Sequence, residues 1–191
     1  MKKIILMAIV ALFSMTSCST YNNMVSQEET VNSAWSNVET QYQRRADLIP
    51  NLVSTVKGYA SHEESTLQAV VEARAKATSI NVSTEDLSDE SIAEYQKAQS
   101  AVSSALGRLI AVSESYPDLK ANQNFLELQA QLEGTENRIT VARKEYNDAA
   151  QAYNVTVRQF PANIVAMIFK FKVKPYFEAD ESASAAPKVE F

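Results

Sequence analysis

Glycine, cysteine and histidine are all scarce in this chain, which has three glycines, one cysteine and one histidine in 191 residues. So little glycine disfavours folds with many tight turns and loops that cradle phosphates. His62 has only Glu63, Glu64 and Glu72 near it, whereas zinc sites usually recruit several histidines or cysteines. No G-x-S-x-G nucleophile motif occurs. The sequence therefore predicts a protein that is not an enzyme and has no cofactor, no metal and no small-molecule substrate.

Positive charge is also in short supply, with 18 basic against 23 acidic residues and a formal net charge of -5. A surface of this sign repels the phosphates of nucleic acids. We therefore expect no nucleic-acid partner. Alanine, glutamine, glutamate and leucine are plentiful instead, and these residues favour helices.

The N-terminus has the three parts of an export signal. Lys2 and Lys3 precede an apolar run at 4–13, and small residues follow up to Cys18. Ten helical residues cover only about 15 Å, roughly half of a bilayer's hydrocarbon thickness, so a permanent span is disfavoured. We predict a signal peptide at 1–18 and lipidation of Cys18, giving a membrane-anchored lipoprotein that faces the periplasm or the cell exterior. The alternative is a secreted protein with a chance cysteine.

Apolar residues recur at intervals of three and four along most of the remaining chain, as in packed helices. The first stripe runs from Met24 to Tyr59 and is interrupted only by Glu28 and Arg45. Its phase continues to residue 77, so a single rod over 21–79 is one possibility. Pro50 removes a helical hydrogen bond, and we expect a kink or break near 47–50.

Further helices are predicted between the segments that lack periodicity. Residues 80–90 should form a loop, Ser88 or Asp89 should cap a helix that stops at Tyr116, and a third long helix should cover 125–160. Residues 162–169 should form one short helix. We predict an all-α fold, an elongated antiparallel helical bundle of three to four long helices with a short C-terminal helix. The domain spans 19–178, and 179–191 is a disordered acidic tail.

Two polar clusters are candidate sites. The first, Arg44, Arg45 and Asp47 where the first helix should bend, either binds an acidic group or pairs internally within the bundle. The second either pairs across to the first and fixes the register of the helices or is a solvated face. Its members are Glu133, Glu136, Asn137, Arg138 and Arg143. Arg45 occupies a stripe position, which favours the internal pair. Near the C-terminus, Lys170, Lys172 and Lys174 alternate with apolar residues, and they either contact anionic lipid or stay in water while the phenylalanines cover the bundle end.

Several strings resemble the LemA family. They include RRADLIPNLVSTVKGYASHE at 44–63 and YPDLKANQNFLELQAQLEGTENRITVARKEYN at 116–147, with Ala34-Trp35 before them and Phe160-Pro161 after them. The resemblance implies a membrane-anchored bundle with a long first helix and no established enzymatic activity. It also implies a relationship to a protein that takes part in membrane organisation around magnetosomes. Many family members keep a spanning N-terminal helix, so a lipoprotein signal is a departure.

These observations lead to two functional hypotheses. In the first, the chain is a membrane-anchored, non-enzymatic scaffold or interaction module of the cell envelope, whose partner is another envelope protein or a second copy. In the alternative, the helical surface itself binds or remodels the membrane.

Overall fold

The computed structural model describes the backbone of residues 2–84 and 87–178, and the side chains of 18–84 and 87–178. The predicted tail and the side chains of the predicted signal before Cys18 lie outside this description. All regular elements of the described residues are helical. They are α1 (Lys2–Tyr59), α2 (Glu64–Ser79), α3 (Asp89–Val112), a 3-10 turn (Ser113–Ser115), α4 (Pro117–Lys120), α5 (Gln123–Arg158) and α6 (Ala162–Phe169). The all-α prediction is confirmed.

The second half of α1 forms a bundle with α2, α3 and α5. α2 returns along α1, since Arg74 Nε donates to Ala46 O at 2.7 Å. α5 runs antiparallel to α1, because Asn122 contacts the Tyr59 hydroxyl at one end and Asn37 contacts Glu145 further along. α3 is parallel to α1. The part of α1 from Tyr21 to Val31 packs on the end of α5, on α6 and on an extended segment, residues 171–178, which we call the strap.

Helix α1 is continuous through Pro50, so of the two predicted alternatives, a kink or a break, the break is wrong. Proline has no N–H, and the carbonyl four residues earlier, that of Ala46, therefore lacks its helical donor. Arg74 of α2 supplies a donor to this carbonyl from outside the helix. The single rod over 21–79 is also wrong, because α1 ends at Tyr59 and the chain turns at 60–63 before α2 begins.

The apolar stripe of α1 is buried as predicted from Met24 to Val56, but Tyr59 is exposed and Ala60 takes the buried position. The stripe of α5 drifts by one residue in its second half, where Ala150 and Val157 are buried in place of Ala149 and Thr156. A helix has 3.6 residues per turn, so seven residues fall about 20° short of two full turns. Over several heptads the buried side therefore shifts to later residues, which explains the drift.

Helix α3 begins at the predicted cap. The Ser88 hydroxyl accepts a hydrogen bond from Ser91 N at 3.1 Å, and Ser88 N donates to Ser91 Oγ at 2.9 Å. This reciprocal pair is a capping box with serine at both positions. The short helix at 162–169 is confirmed, whereas Phe160, which the stripe placed in the core, is 81% exposed.

Candidate functional site

Arg45 is the largest charged side chain inside the bundle, with only 2% of its surface exposed. Its Nη1 donates to Glu136 Oε2 and to Ser103 Oγ, both at 2.7 Å. Its Nη2 donates to the Gln99 side-chain oxygen at 2.7 Å and to the Gln99 carbonyl at 3.0 Å. The guanidinium therefore links α1 to α3 and α5, and four of its five donors are used within the protein. We call Arg45, Gln99, Ser103 and Glu136 the Arg45 layer.

The Arg45 layer has one buried and one wet side. Glu136 is 50% exposed, so water screens the ion pair from its carboxylate end. On the buried side, the guanidinium carbon lies 5.1 Å from the centre of the Tyr42 ring. Of the two alternatives that the sequence left open for Arg45, the structure has the internal ion pair.

The other predicted members of the clusters do not join this layer. Arg44 and Asp47 are exposed on α1, and Asp47 accepts a hydrogen bond from Gln43 at 2.7 Å. Asn137 and Arg138 are exposed on α5, where they line a different groove, beside Asn37 and Gln41. The predicted cluster is thus divided over several surfaces of the bundle.

Arg143 belongs to the contact between α5 and the strap. Its Nη2 donates to the Glu178 carbonyl at 2.8 Å, and its guanidinium carbon lies 5.1 Å from the centre of the Phe177 ring. Arg143 therefore holds the end of the strap, and it faces the same groove between α3 and α5 as Glu136.

Glu28, the second charged residue on the α1 stripe, also has a partner of opposite charge. Glu28 Oε1 lies 2.9 Å from Lys174 Nζ, and the Lys174 side chain is only 11% exposed. The same ammonium lies 3.4 Å from the Thr84 carbonyl. Both charged interruptions of the stripe are thus matched by residues that are distant in sequence. Lys174 is held inside the surface, and Lys170 and Lys172 are the exposed lysines of the predicted set.

Two side-chain amides of α5 bind the backbone of the strap. Asn154 donates to Lys174 O and accepts from Lys174 N, both at 2.7 Å. Asn147, two turns earlier on α5, makes the same pair of bonds with Phe177, at 3.0 and 2.9 Å. Sequence reasoning missed these residues. The sequence did contain one signal for them. Two asparagines seven residues apart lie on the same face of a helix, where they can bind the backbone of an extended segment.

An aromatic cluster lies beneath the strap. Phe177 stacks on Trp35, with ring centres 5.8 Å apart and planes at 14°, and meets Tyr146 edge-on at 5.4 Å. Trp35 Nε1 donates to Val82 O at 3.2 Å, which fixes the loop after α2. Burial raises the pKa of Tyr146 well above its usual range, because ionisation would place a charge in an apolar site.

The groove between α3 and α5 is a concavity on the body of the protein, with both polar and apolar residues in its lining. Its lining includes Lys97, Ser100, Ser104, Glu136, Arg143 and Glu178. Lysine, arginine and carboxylates face one channel, so it carries charges of both signs, an arrangement suited to recognising polar groups of a protein partner.

Within the part of the chain whose side chains are described, no three His, Cys, Asp or Glu residues are grouped to hold a metal ion. His62 is exposed in the turn between α1 and α2. Among those same residues, no helix combines the length and apolar content needed to cross a bilayer.

The fold and its polar layers define a helical bundle protein whose first helix extends beyond the four-helix region. The chain belongs to the LemA family, whose model matches residues 34–191. It is 30% identical over 186 residues to magnetosome protein MamQ 2 of Paramagnetospirillum magneticum, covering 88% of this chain and 68% of that protein. It is 26% identical over 160 residues to protein LemA of Metamycoplasma hominis, covering 84% and 69%.

Proposed function

We propose that the chain is a membrane-anchored, non-enzymatic scaffold of the cell envelope, whose groove between α3 and α5 binds another envelope protein or a second copy of itself. One observation carries this proposal. Arg45 and Glu28, the two charged residues on the buried stripe of α1, are each held by a partner from another element. Their charges therefore fix the register of the bundle and leave no buried charge of this stripe for chemistry.

Anchoring is supported by the N-terminal sequence and by the relatives. Lys2, Lys3, the apolar run at 4–13 and Cys18 have the order of a lipoprotein signal, and Cys18 is exposed on α1. Several acyl chains on one cysteine give a firm anchor, whereas a single chain binds only marginally. The similarity to magnetosome proteins supports the proposal that the chain functions at a membrane.

Photocrosslinking in intact cells tests the partner-binding groove. A photoreactive amino acid is placed at Ser104, which is exposed and lines the groove, and as a control at Ala101, which is exposed on the same helix outside the groove lining. We expect one reproducible adduct from Ser104, with the mass of a partner or of a dimer, and none from Ala101. Equal labelling from both positions, or no adduct from Ser104, contradicts the groove as the binding surface.

Mass spectrometry of the mature protein tests the anchor separately. We expect the N-terminal peptide to begin at Cys18 and to carry acyl groups. A mature chain whose cysteine is unmodified contradicts lipid anchoring, while the crosslinking result stands by itself.

A further inference from the structure

An exposed apolar surface occupies the end of the molecule that carries α6. Phe160 is 81% exposed and Met167 is 75% exposed, and three large apolar neighbours, Ile168, Phe169 and Val173, are each more than half exposed. Single exposed apolar residues are ordinary on soluble proteins, but Met167, Ile168 and Phe169 follow one another at the end of α6, and a group of exposed apolar residues marks a surface that contacts something apolar. We call this group the end patch.

The end patch follows from the way α6 packs. Val165 and Ala166 are buried against the bundle, so Met167 and Ile168 lie on the outer side of the helix, and Phe169 follows at its exposed end. Lys170 then adopts a left-handed conformation with φ of 62°, and Phe171 N donates back to Ala166 O at 2.9 Å. This turn ends the helix and sends the strap back along α5, and Met167 to Phe169 stay more than half exposed although the Tyr21 ring packs on Phe169.

The end patch lies beside the proposed lipid anchor. The Tyr21 ring centre is 4.7 Å from that of Phe169 and 5.5 Å from that of Phe171. Cys18 is three residues before Tyr21 on the same helix, about 4.5 Å along the axis at 1.5 Å per residue. Acyl chains on Cys18 would therefore enter the bilayer within about one helical turn of the patch.

The chemistry of the patch fits a lipid surface. Lys170 and Lys172 are exposed beside the apolar residues, where cationic groups face anionic headgroups. Tyr21 is also partly exposed, and tyrosine favours the boundary between lipid and water. α6 has eight residues and is about 12 Å long, far short of the roughly 30 Å needed to cross the hydrocarbon core. It is suited to lying in the interface.

We infer that the end patch inserts into the headgroup region of the bilayer to which Cys18 is attached. It makes a second, non-covalent membrane contact that fixes how the bundle stands on the membrane. This inference rests on the anchoring part of the proposed function and is independent of the groove between α3 and α5.

Spin labelling of the full chain in vesicles tests the insertion. Met167→Cys and, as a matched control at the far end of the bundle, Asp118→Cys are each labelled in the protein reconstituted into phosphatidylethanolamine and phosphatidylglycerol vesicles. Both positions are exposed in the structure. We expect the label at 167 to collide more with oxygen and less with a water-soluble nickel chelate than the label at 118. The unsubstituted chain, labelled in parallel, reports any free thiol at Cys18.

The outcomes separate the end contact from the anchor. Equal nickel accessibility at 167 and 118 in protein that floats with the vesicles overturns the inference and leaves the anchor intact. Dipolar coupling between labels at 167 in different molecules also overturns it, because a second copy then covers the patch. A chain that does not float contradicts both the end contact and the anchor.

A second variant distinguishes insertion from mere proximity. With the label at Val173→Cys, the added substitution Ile168→Asp should return the label to water-like accessibility, because a carboxylate resists entry into the interface. Helix content measured by circular dichroism should be unchanged, since residue 168 is exposed. An unaltered label in a folded Ile168→Asp protein contradicts the proposed insertion of α6.

Discussion

Arg74 Nε donates a 2.7 Å hydrogen bond to the carbonyl of Ala46, the carbonyl that Pro50 leaves without a helical donor. A residue of α2 thus satisfies a backbone group of α1 that the local sequence cannot satisfy. The contact also fixes the position at which α2 runs back along α1.

We predict that Arg74→Ala lowers the free energy of unfolding by about 1 to 2 kcal/mol, because a partly buried carbonyl loses a charged donor. In a Pro50→Ala background the same substitution should cost less, since that background restores a backbone N–H at position 50 that can bond to Ala46 O. Urea denaturation of the four proteins measures this coupling. Equal costs in both backgrounds would show that Arg74 acts through other contacts.

Loss of Glu136 should destabilise the bundle. Glu136→Gln leaves the Arg45 guanidinium buried without a counter-charge, and we expect a cost of about 1 kcal/mol, reduced from the value for a fully buried pair because Glu136 is half exposed. Glu133→Gln, an exposed carboxylate on the same helix, is the control and should be neutral. Thermal or urea unfolding at low and high salt is the measurement.

Replacing both partners should cost less than removing one. The double variant Arg45→Met, Glu136→Leu has no unpaired charge, and its remaining cost should come from the Gln99 side-chain oxygen, which loses its donor. A double variant much less stable than Glu136→Gln would mean that the Arg45 layer contributes packing or register that an apolar pair cannot replace.

Asn147→Ala and Asn154→Ala should each loosen the strap. Each substitution removes two hydrogen bonds to strap backbone, so the amides of Lys174 and Phe177 lose their acceptors. Hydrogen exchange of peptides covering 171–178 should accelerate severalfold, as expected of local opening. Asn137→Ala, at an exposed position on the same helix, should leave the exchange unchanged. Unchanged exchange protection of residues 171–178 in both variants would contradict the role of these two asparagines in holding the strap.

Stability should fall in alkaline solution. Burial raises the pKa of Tyr95, Tyr146 and Tyr153, so these hydroxyls bind their protons more tightly in the folded than in the unfolded chain, where the pKa is about 10. The stabilisation is therefore complete below about pH 10 and is lost as the pH rises through the folded-state values. Unfolding free energies measured across this range test the sign, and Tyr95→Phe should reduce the slope. A flat profile would contradict the burial argument.

The periodic stripes account for what could be predicted before the fold was known. The sequence predicted the long helices α3 and α5, the helical character of the α1 and α2 region, the Ser88 cap and the short helix at 162–169, because these features depend on residues within a turn or two of one another. It missed the turn at 60–63 that separates α1 from α2. Arg45 could be recognised as an outlier on a buried stripe for the same reason. Glu136 was already a candidate for this pairing, but Gln99 and Ser103 could not be recognised, because they reach Arg45 only after the loops have placed α3.

The sequence by itself determined that this chain is helical, which side of each helix is buried and where polar residues interrupt those sides. Only the tertiary structure decided that α1 passes through Pro50, that Lys174 neutralises Glu28 and that Phe160 stays outside the core. The physical reason is the range of the interactions. Helix formation and amphipathic patterning are set within a few residues. The donor for a free carbonyl, the partner of a buried charge and the surroundings of an apolar side chain depend instead on which distant segments pack beside them.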